Sequence, residues 1–144
     1  MQLVSVSRND YPQLIQIWEA SVRATHDFLS EADILALKPL ILEQYFDAVR
    51  LTAARSDAGA LLGFSGVADE SLEMLFIKPE QRGLGVGSAL CRHAIAHQGV
   101  TKVDVNEQNP QAIGFYLRMG FAQVGRSELD GQGNPFPLLH LALA

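Results

Sequence analysis

A strand that runs directly into a glycine-rich loop and then a helix constrains this chain more than any other feature. Residues 72–77 read Leu-Glu-Met-Leu-Phe-Ile, glycines follow at positions 83, 85 and 87, and residues 86–97 form a helical pattern. This order of elements brings free backbone N–H groups and a helix N-terminus to one place, where a phosphate group can bind. Glycine suits the loop because a Cβ blocks close approach of a ligand and because tight turns use positive φ.

Two common phosphate-binding loops do not match the spacing of these glycines. The dinucleotide fingerprint needs Gly-x-Gly-x-x-Gly, whereas this chain has Gly-x-Gly-x-Gly. The P-loop ends in Gly-Lys-Ser or Gly-Lys-Thr, whereas Gly87 is followed by Ser88 without a lysine. The pattern that remains is Arg82-x-x-Gly85-x-Gly87.

A second motif occupies residues 109–121, which read Asn-Pro-Gln-Ala-Ile-Gly-Phe-Tyr-Leu-Arg-Met-Gly-Phe. It predicts a short helix with Asn109 as the N-cap, Pro110 at the first helical position and Gly120 as a left-handed C-cap. Tyr116 follows the face that should point to the core, so its hydroxyl can reach a cleft. The residues expected on the core face are Ala112, Phe115 and Met119.

The two motifs resemble the Arg/Gln-x-x-Gly-x-Gly/Ala and Asn-x-x-Ala-x-x-Phe-Tyr-x-x-x-Gly-Phe signatures of the GCN5-related N-acetyltransferase (GNAT) superfamily. Within it, segments 24–30, 105–109 and 135–139 resemble the YjaB-type bacterial acetyltransferases. The resemblance covers the whole chain and implies one α/β (α+β) domain over residues 1–144. The implied GNAT fold has a mixed twisted sheet of about seven strands and about four helices. The predicted order is β-α-α-β-β-β-α-β-α-β-β.

Composition excludes several other classes of protein. The formal net charge of −5 argues against a general nucleic-acid binder. Cys91 is the only cysteine, so neither an internal disulfide nor a multi-cysteine metal site is available. His93 and His97 lack the glutamate of His-Glu-x-x-His, and no metal site is predicted. Without a signal-peptide pattern or an apolar run long enough to span a bilayer, the chain is expected to be soluble and cytoplasmic.

Three local expectations concern the rest of the chain. Ser30 and Asp33 resemble a capping box that opens the second helix. Pro39 should break or kink that helix after Leu37, with a further helical stretch over residues 40–48. The nearly all-apolar strand 72–77 should be covered on both faces of the sheet.

The resemblance implies an acetyltransferase that moves an acetyl group from acetyl-coenzyme A to a primary amine by direct attack in a ternary complex, without a metal. The pantetheine arm would add like a strand beside residues 75–77, and the pyrophosphate would meet the amides of the glycine loop. The residues expected to bind the coenzyme are Leu75, Phe76, Ile77, Arg82, Gly83, Leu84, Gly85, Val86, Gly87, Ser88, Asn109 and Tyr116.

Three residues are candidates for proton transfer. The resemblance makes Tyr116 the general acid that protonates the departing thiolate. Glu73 is one candidate base, because it is the only charged residue in strand 72–77, although it can equally be a solvated residue at a strand end. His26 is the other candidate base, because histidine titrates near neutrality, although it can equally be a loop residue bonded to Asp27.

A non-catalytic module that binds acyl-coenzyme A as a sensor is the alternative function. The intact glycine loop and Tyr116 favour the enzyme. The expected partner is an amine acceptor, either a small molecule or a protein lysine, with no nucleic acid and no membrane. The chain is expected to be a monomer or a homodimer, and the sequence does not identify the acceptor.

Overall fold

The computed structural model describes residues 1–143, which fold around one seven-stranded sheet. The strands are β1 (Gln2–Ser5), β2 (Arg50–Arg55), β3 (Leu61–Ala68), β4 (Ser71–Ile77), β5 (Lys102–Asn106), β6 (Phe121–Ser127) and β7 (Leu138–Leu143). The helices are α1 (Tyr11–Thr25), α2 (Glu31–Leu40), α3 (Val86–His97) and α4 (Pro110–Arg118). The predicted order of elements and the mixed sheet are confirmed. Within residues 1–143, no helix is long and apolar enough to cross a membrane.

The sheet order is β1-β2-β3-β4-β5-β7-β6. Neighbouring strands are antiparallel except β4 and β5, which are parallel and lie at the centre. A parallel pair needs a crossover connection, and here α3 provides it. The C-terminal end of β4 therefore leads into the glycine loop beside the C-terminal end of β5.

Side chains of β4 alternate between two hydrophobic cores on the two faces of the sheet. Met74 and Phe76 pack with α1, α2 and residues such as Phe64. Leu75 and Ile77 point the other way and pack with α3. Because successive strand residues face opposite sides, the helices must lie on both faces of the central strands.

The expectation that β4 is fully covered is only partly met. Leu72 is buried, but Glu73 is exposed and the four residues that follow are only half-buried. The reason is that, within residues 1–143, β4 is paired with β5 only at its first residue, so no strand covers the edge of β4 that faces β5 beyond that point. A β-bulge at Glu73 adds to this, since the register with β3 shifts between the Val67–Leu72 and Gly66–Met74 pairs.

Predicted helix ends agree with the structure. The Ser30 hydroxyl accepts from the Asp33 amide at 3.1 Å, and the Asp33 carboxylate accepts from the Ser30 amide at 3.0 Å. Asn109 caps α4 by accepting from the Ala112 amide at 3.3 Å. Gly120 ends α4 with φ +103°, a conformation that favours glycine.

Of the predicted break or kink at Pro39, the break after Leu37 is wrong, whereas the further helical stretch predicted over residues 40–48 is present. α2 continues through Pro39 to Leu40, and a π-helical turn (Ile41–Tyr45) and a 3-10 turn (Phe46–Ala48) extend it without an interruption. Pro39 cannot donate to the carbonyl of Leu35 one turn earlier, but Leu35 is 60% exposed, so water can satisfy that carbonyl. The wider π turn that follows accommodates the altered hydrogen bonding.

Candidate active site

A wedge opens between the two central strands. β4 and β5 share one backbone pair, Ser71 with Lys102, and then diverge. β4 stays paired with β3, and β5 stays paired with β7 as far as Asn106. Backbone groups along the facing edges are therefore free within the described residues, and an extended ligand arm can bond to them as an added strand does.

The glycine loop lies at the open end of β4. Gly83 has φ +75° and Gly85 has φ +89°, and an added Cβ would meet no heavy atom of this chain within 4 Å at either position. Backbone conformation, and not lack of space within the protein, is therefore what requires glycine here. At Gly87 an added Cβ would stand 3.7 Å from both Ile77 and Phe115, which is an ordinary contact.

The start of α3 presents unpaired amides to this loop. Its first backbone bond runs from the Ala89 amide to the Gly85 carbonyl. The amides of Val86, Gly87 and Ser88 precede that bond, so they have no acceptor inside the helix. The Val86 side chain is buried in the core, which fixes the direction of these amides. The arrangement suits an anion, because the helix dipole adds to the free N–H groups.

Arg82 reaches across the site instead of lying over the glycines. Its guanidinium donates to the Ser21 hydroxyl of α1 and to the Gln111 side-chain oxygen of α4, each at 3.4 Å. Burial lowers the pKa of Arg82 from its usual value. The sequence did not predict these two contacts, because Gln111 occupies an unspecified position of the second motif and Ser21 belongs to no recognised motif.

Tyr116 lies in the core on the α4 side of the wedge. Its ring is 7% exposed and packs edge-on against Phe115 and Phe121, with centroids 5.1 and 5.7 Å away. The Tyr116 hydroxyl makes no hydrogen bond within residues 1–143. The only fully enclosed side-chain oxygens or nitrogens without a partner in these residues are on Ser65 and Gln98, so the Tyr116 hydroxyl is not fully enclosed and keeps contact with solvent.

The environment of Tyr116 keeps its phenol protonated. Burial raises the pKa of Tyr116 well above its usual value, and the nearby Cys91 thiol raises it further. Burial likewise raises the pKa of Cys91 to about 11. At neutral pH the phenol is therefore a neutral proton donor with no competing acceptor among the described residues.

Glu73 stands where β4 and β5 separate. It lines a cavity of about 420 Å³ on the sheet face away from α3, together with Ser71 and Lys102 at the closed end of the wedge. Asp104 and His140 from β5 and β7 line the same cavity. The exposed carboxylate can therefore meet a ligand that approaches the wedge from this face.

His26 caps the C-terminal end of α1 on the same side of the sheet as Phe76. Its Nδ1 lies 2.8 Å from the Thr25 hydroxyl, and no bond to Asp27 is formed. Burial lowers the pKa of His26, and the positive charge of Arg82 lowers it further while Asp27 opposes the shift. The imidazole is therefore held in its neutral, proton-accepting form.

Two loops meet above this side of the sheet. Phe28, which follows α1, packs against Phe136 of the β6–β7 loop with ring centroids 5.6 Å apart. The Gln132 side chain of the same loop donates to the Tyr45 hydroxyl. These contacts limit the space through which an acceptor can enter. The sequence alone did not reveal them, because they join residues about ninety or more positions apart.

Comparisons with known proteins agree with this geometry. A family model described as an acetyltransferase (GNAT) domain matches residues 48–123. Peptidyl-lysine N-acetyltransferase YjaB of Salmonella typhimurium is 41% identical over 142 residues, covering 96% of this chain and 97% of the relative. The Escherichia coli protein of the same name is 39% identical over 143 residues, with 97% of each covered.

A solved structure supports the same assignment. The solution structure of apo-form YjaB from Escherichia coli matches with a TM-score of 0.88 and 38% identity, and it covers 99% of this chain and 97% of the other. The prediction of an acetyl-coenzyme A-dependent N-acetyltransferase is thereby confirmed. Fold, wedge and relatives together mean that the chain belongs to the GNAT family of acetyltransferases.

Proposed function

We propose that this enzyme acetylates the side-chain amine of lysine in peptides or proteins. The single backbone pair between β4 and β5 carries the acetyl-coenzyme A part of the proposal, because the wedge beyond it can hold an acyl-pantetheine arm. The two YjaB relatives are named peptidyl-lysine N-acetyltransferases, which supports lysine as the acceptor. A small-molecule amine is the other acceptor that the test below can detect.

The free edge of β4 and the glycine loop would hold the coenzyme together. The free backbone groups of Leu75 to Ile77 would bond the pantetheine amides, with Asn109 on the facing side. The amides from Gly83 to Ser88 would surround the pyrophosphate. A charged hydrogen bond of this kind contributes about 1.5–3 kcal/mol, so several of them give useful affinity.

Amine activation is the first chemical requirement. A lysine amine has a pKa of about 10.4, so only about 4 molecules in 10,000 are neutral at pH 7. Glu73 and His26 are the two candidate bases, acting directly or through water. Glu73 is exposed and the imidazole of His26 is neutral, so each side chain is in a form that can act as the base.

Collapse of the tetrahedral intermediate is the second requirement. A backbone N–H of β4 near Leu75 would stabilise the oxyanion, because this edge of the strand is free. Tyr116 would then donate its proton to the thiolate of coenzyme A as the carbon–sulfur bond breaks. The neutral phenol described above is the form that this step requires.

The experiment measures thiol release from acetyl-coenzyme A with a panel of acceptors. A lysine-containing peptide should release thiol, whereas the same peptide with norleucine in place of lysine should not. Faster release with small amines than with any peptide would contradict the lysine assignment. Binding of acetyl-coenzyme A without thiol release for any peptide would also contradict the lysine assignment. The monomer or dimer state, the cytoplasmic location and the absence of nucleic-acid and membrane partners stay predictions.

A further inference from the structure

Three side chains form a hydrogen-bonded row across the neighbouring strands β5, β7 and β6. His140 of β7 lies opposite Asp104 of β5, and its Nδ1 is 2.6 Å from the Asp104 carboxylate. Its other ring nitrogen, Nε2, is 2.6 Å from the Ser127 hydroxyl of β6. The residues are 13 and 36 positions apart in sequence, so only the sheet brings them together.

The backbone at Gly125 leaves room for this arrangement. Gly125 is the residue of β6 directly opposite His140. An added Cβ would stand 3.4 Å from His140 Cδ2, so the imidazole lies directly over the glycine. A larger side chain would compete with the ring for this space. The imidazole therefore extends along the sheet to Ser127, two residues farther along β6.

The hydrogen-bond partners of His140 determine which of its two ring nitrogens carries the proton. A carboxylate only accepts hydrogen bonds, so Asp104 fixes the proton of His140 on Nδ1. Nε2 then has a free lone pair and accepts from the Ser127 hydroxyl. This is the order of roles in a Ser-His-Asp triad: a nucleophile bonded to a base, and a base oriented by a carboxylate.

The row is accessible from solvent. The side chains of His140 and Asp104 are 33% and 53% exposed, and Ser127 is half-buried. Both His140 and Asp104 line the cavity of about 420 Å³ described above. A small acyl compound can therefore approach the row from the cavity that His140 and Asp104 share with Glu73.

Backbone amides lie beside Ser127 on an unpaired strand edge. β6 is the last strand of the sheet order, with β7 as its one neighbour in residues 1–143. Successive amides of a strand point to opposite sides, so Ser127 or its neighbour Arg126 has an amide on the free edge. Such an amide can donate to the oxyanion that forms when a hydroxyl attacks a carbonyl.

We propose that Ser127, oriented by His140 and Asp104, is a second reactive centre that attacks small activated acyl esters. The Ser127 oxygen bonds to the carbonyl carbon while its proton passes to Nε2 of His140. The bond from that carbon to the leaving oxygen then breaks, and His140 returns the proton to the leaving group. Water hydrolyses the resulting serine ester with His140 as the base, which releases the carboxylic acid and restores the hydroxyl.

The test treats the full chain with p-nitrophenyl acetate and, separately, with a fluorophosphonate probe. Wild-type protein should release p-nitrophenol from the ester over repeated turnovers, and the fluorophosphonate should leave one lasting adduct, located on Ser127 by peptide mapping. Ser127→Ala should carry none, and Asp104→Asn should react about 10²-fold or more slowly, because the imidazole loses its orientation. Ser5→Ala is the matched control, since it removes an exposed serine from the opposite edge strand, and it should react like wild type.

Two results would overturn the proposal. One is a wild-type protein without a fluorophosphonate adduct on Ser127, a result that does not depend on how any variant folds. The other is an Asp104→Asn protein, folded by circular dichroism, that reacts at the wild-type rate. Neither result bears on the proposed acetyl transfer from coenzyme A, because no step assigned to that reaction uses Ser127, His140 or Asp104.

Discussion

Ser71 and Lys102 are the one pair of residues through which β4 and β5 are bonded in the described chain. The two strands start together and then separate, so the wedge has a closed end at this pair and an open end at the glycine loop. An acyl-pantetheine arm that enters beside the loop would direct its thioester toward Glu73 and the cavity at the closed end.

Gly85→Val should weaken coenzyme A binding about 10-fold or more. Valine strongly disfavours φ +89°, so the loop amides would turn away from the pyrophosphate. The measurement is calorimetric titration of the full chain with coenzyme A.

Gly59→Val is a matched control for this change. Gly59 has φ +90° and also has no heavy atom within 4 Å of an added Cβ, but it lies in the β2–β3 turn. Both variants should lose about 1–3 kcal/mol of stability from backbone strain. Equal affinity for coenzyme A in the two variants would contradict the role of the loop.

Tyr116→Phe should lower turnover about 10²–10⁴-fold while affinity for coenzyme A stays the same, because the thiolate loses its proton donor. Steady-state kinetics and calorimetry separate these two quantities. Tyr11→Phe is the control, since it removes a tyrosine hydroxyl that donates to Asp47 of the 3-10 turn after α2 at 2.8 Å and has no assigned role in the reaction. Turnover of Tyr116→Phe at the wild-type level would remove Tyr116 from the mechanism.

The pH dependence of turnover should identify the base. If His26 is the base, the acidic limb of the wild-type profile should lie below pH 6.5, because burial and Arg82 lower its pKa. His26→Ala would then lose that limb while Glu73→Gln keeps it. The opposite pattern would identify Glu73, and a limb kept by both variants would exclude both residues.

His26 should also make the protein less stable in acid. Its pKa is lower in the folded protein than its ordinary value of 6.5, so the unfolded chain binds the proton more readily. The stabilisation is present above pH 6.5 and is lost as the pH falls toward the folded pKa. Urea titrations at pH 8 and pH 5 should show a larger loss for wild type than for His26→Gln. An equal loss for both proteins would contradict the assigned environment of His26.

Local signals explain why much of the fold was predictable. The Ser30–Asp33 capping box, the Asn109 cap and the Gly120 C-cap each act within a few residues, and all three are present. Pro39 was misjudged because its effect depends on whether solvent can reach the carbonyl one turn earlier.

Contacts between distant residues were not predictable from one sequence. Arg82 meets Ser21 across 61 positions, and His140 meets Asp104 across 36 positions. No periodicity or spacing rule connects such residues, because the pairing depends on how the strands and helices assemble. The wedge itself was expected only through the family resemblance.

Amide hydrogen exchange in the presence of acetyl-coenzyme A tests the central claim most directly. With ligand at about 100 times its dissociation constant, exchange of the β4 amides that face β5, between Met74 and Ile77, should slow about 100-fold. Amides of the loop from Gly83 to Ser88 should also slow, whereas those of the distant β2–β3 turn should not. Binding by calorimetry without protection of these β4 amides would mean that the acyl-pantetheine arm does not lie in the wedge.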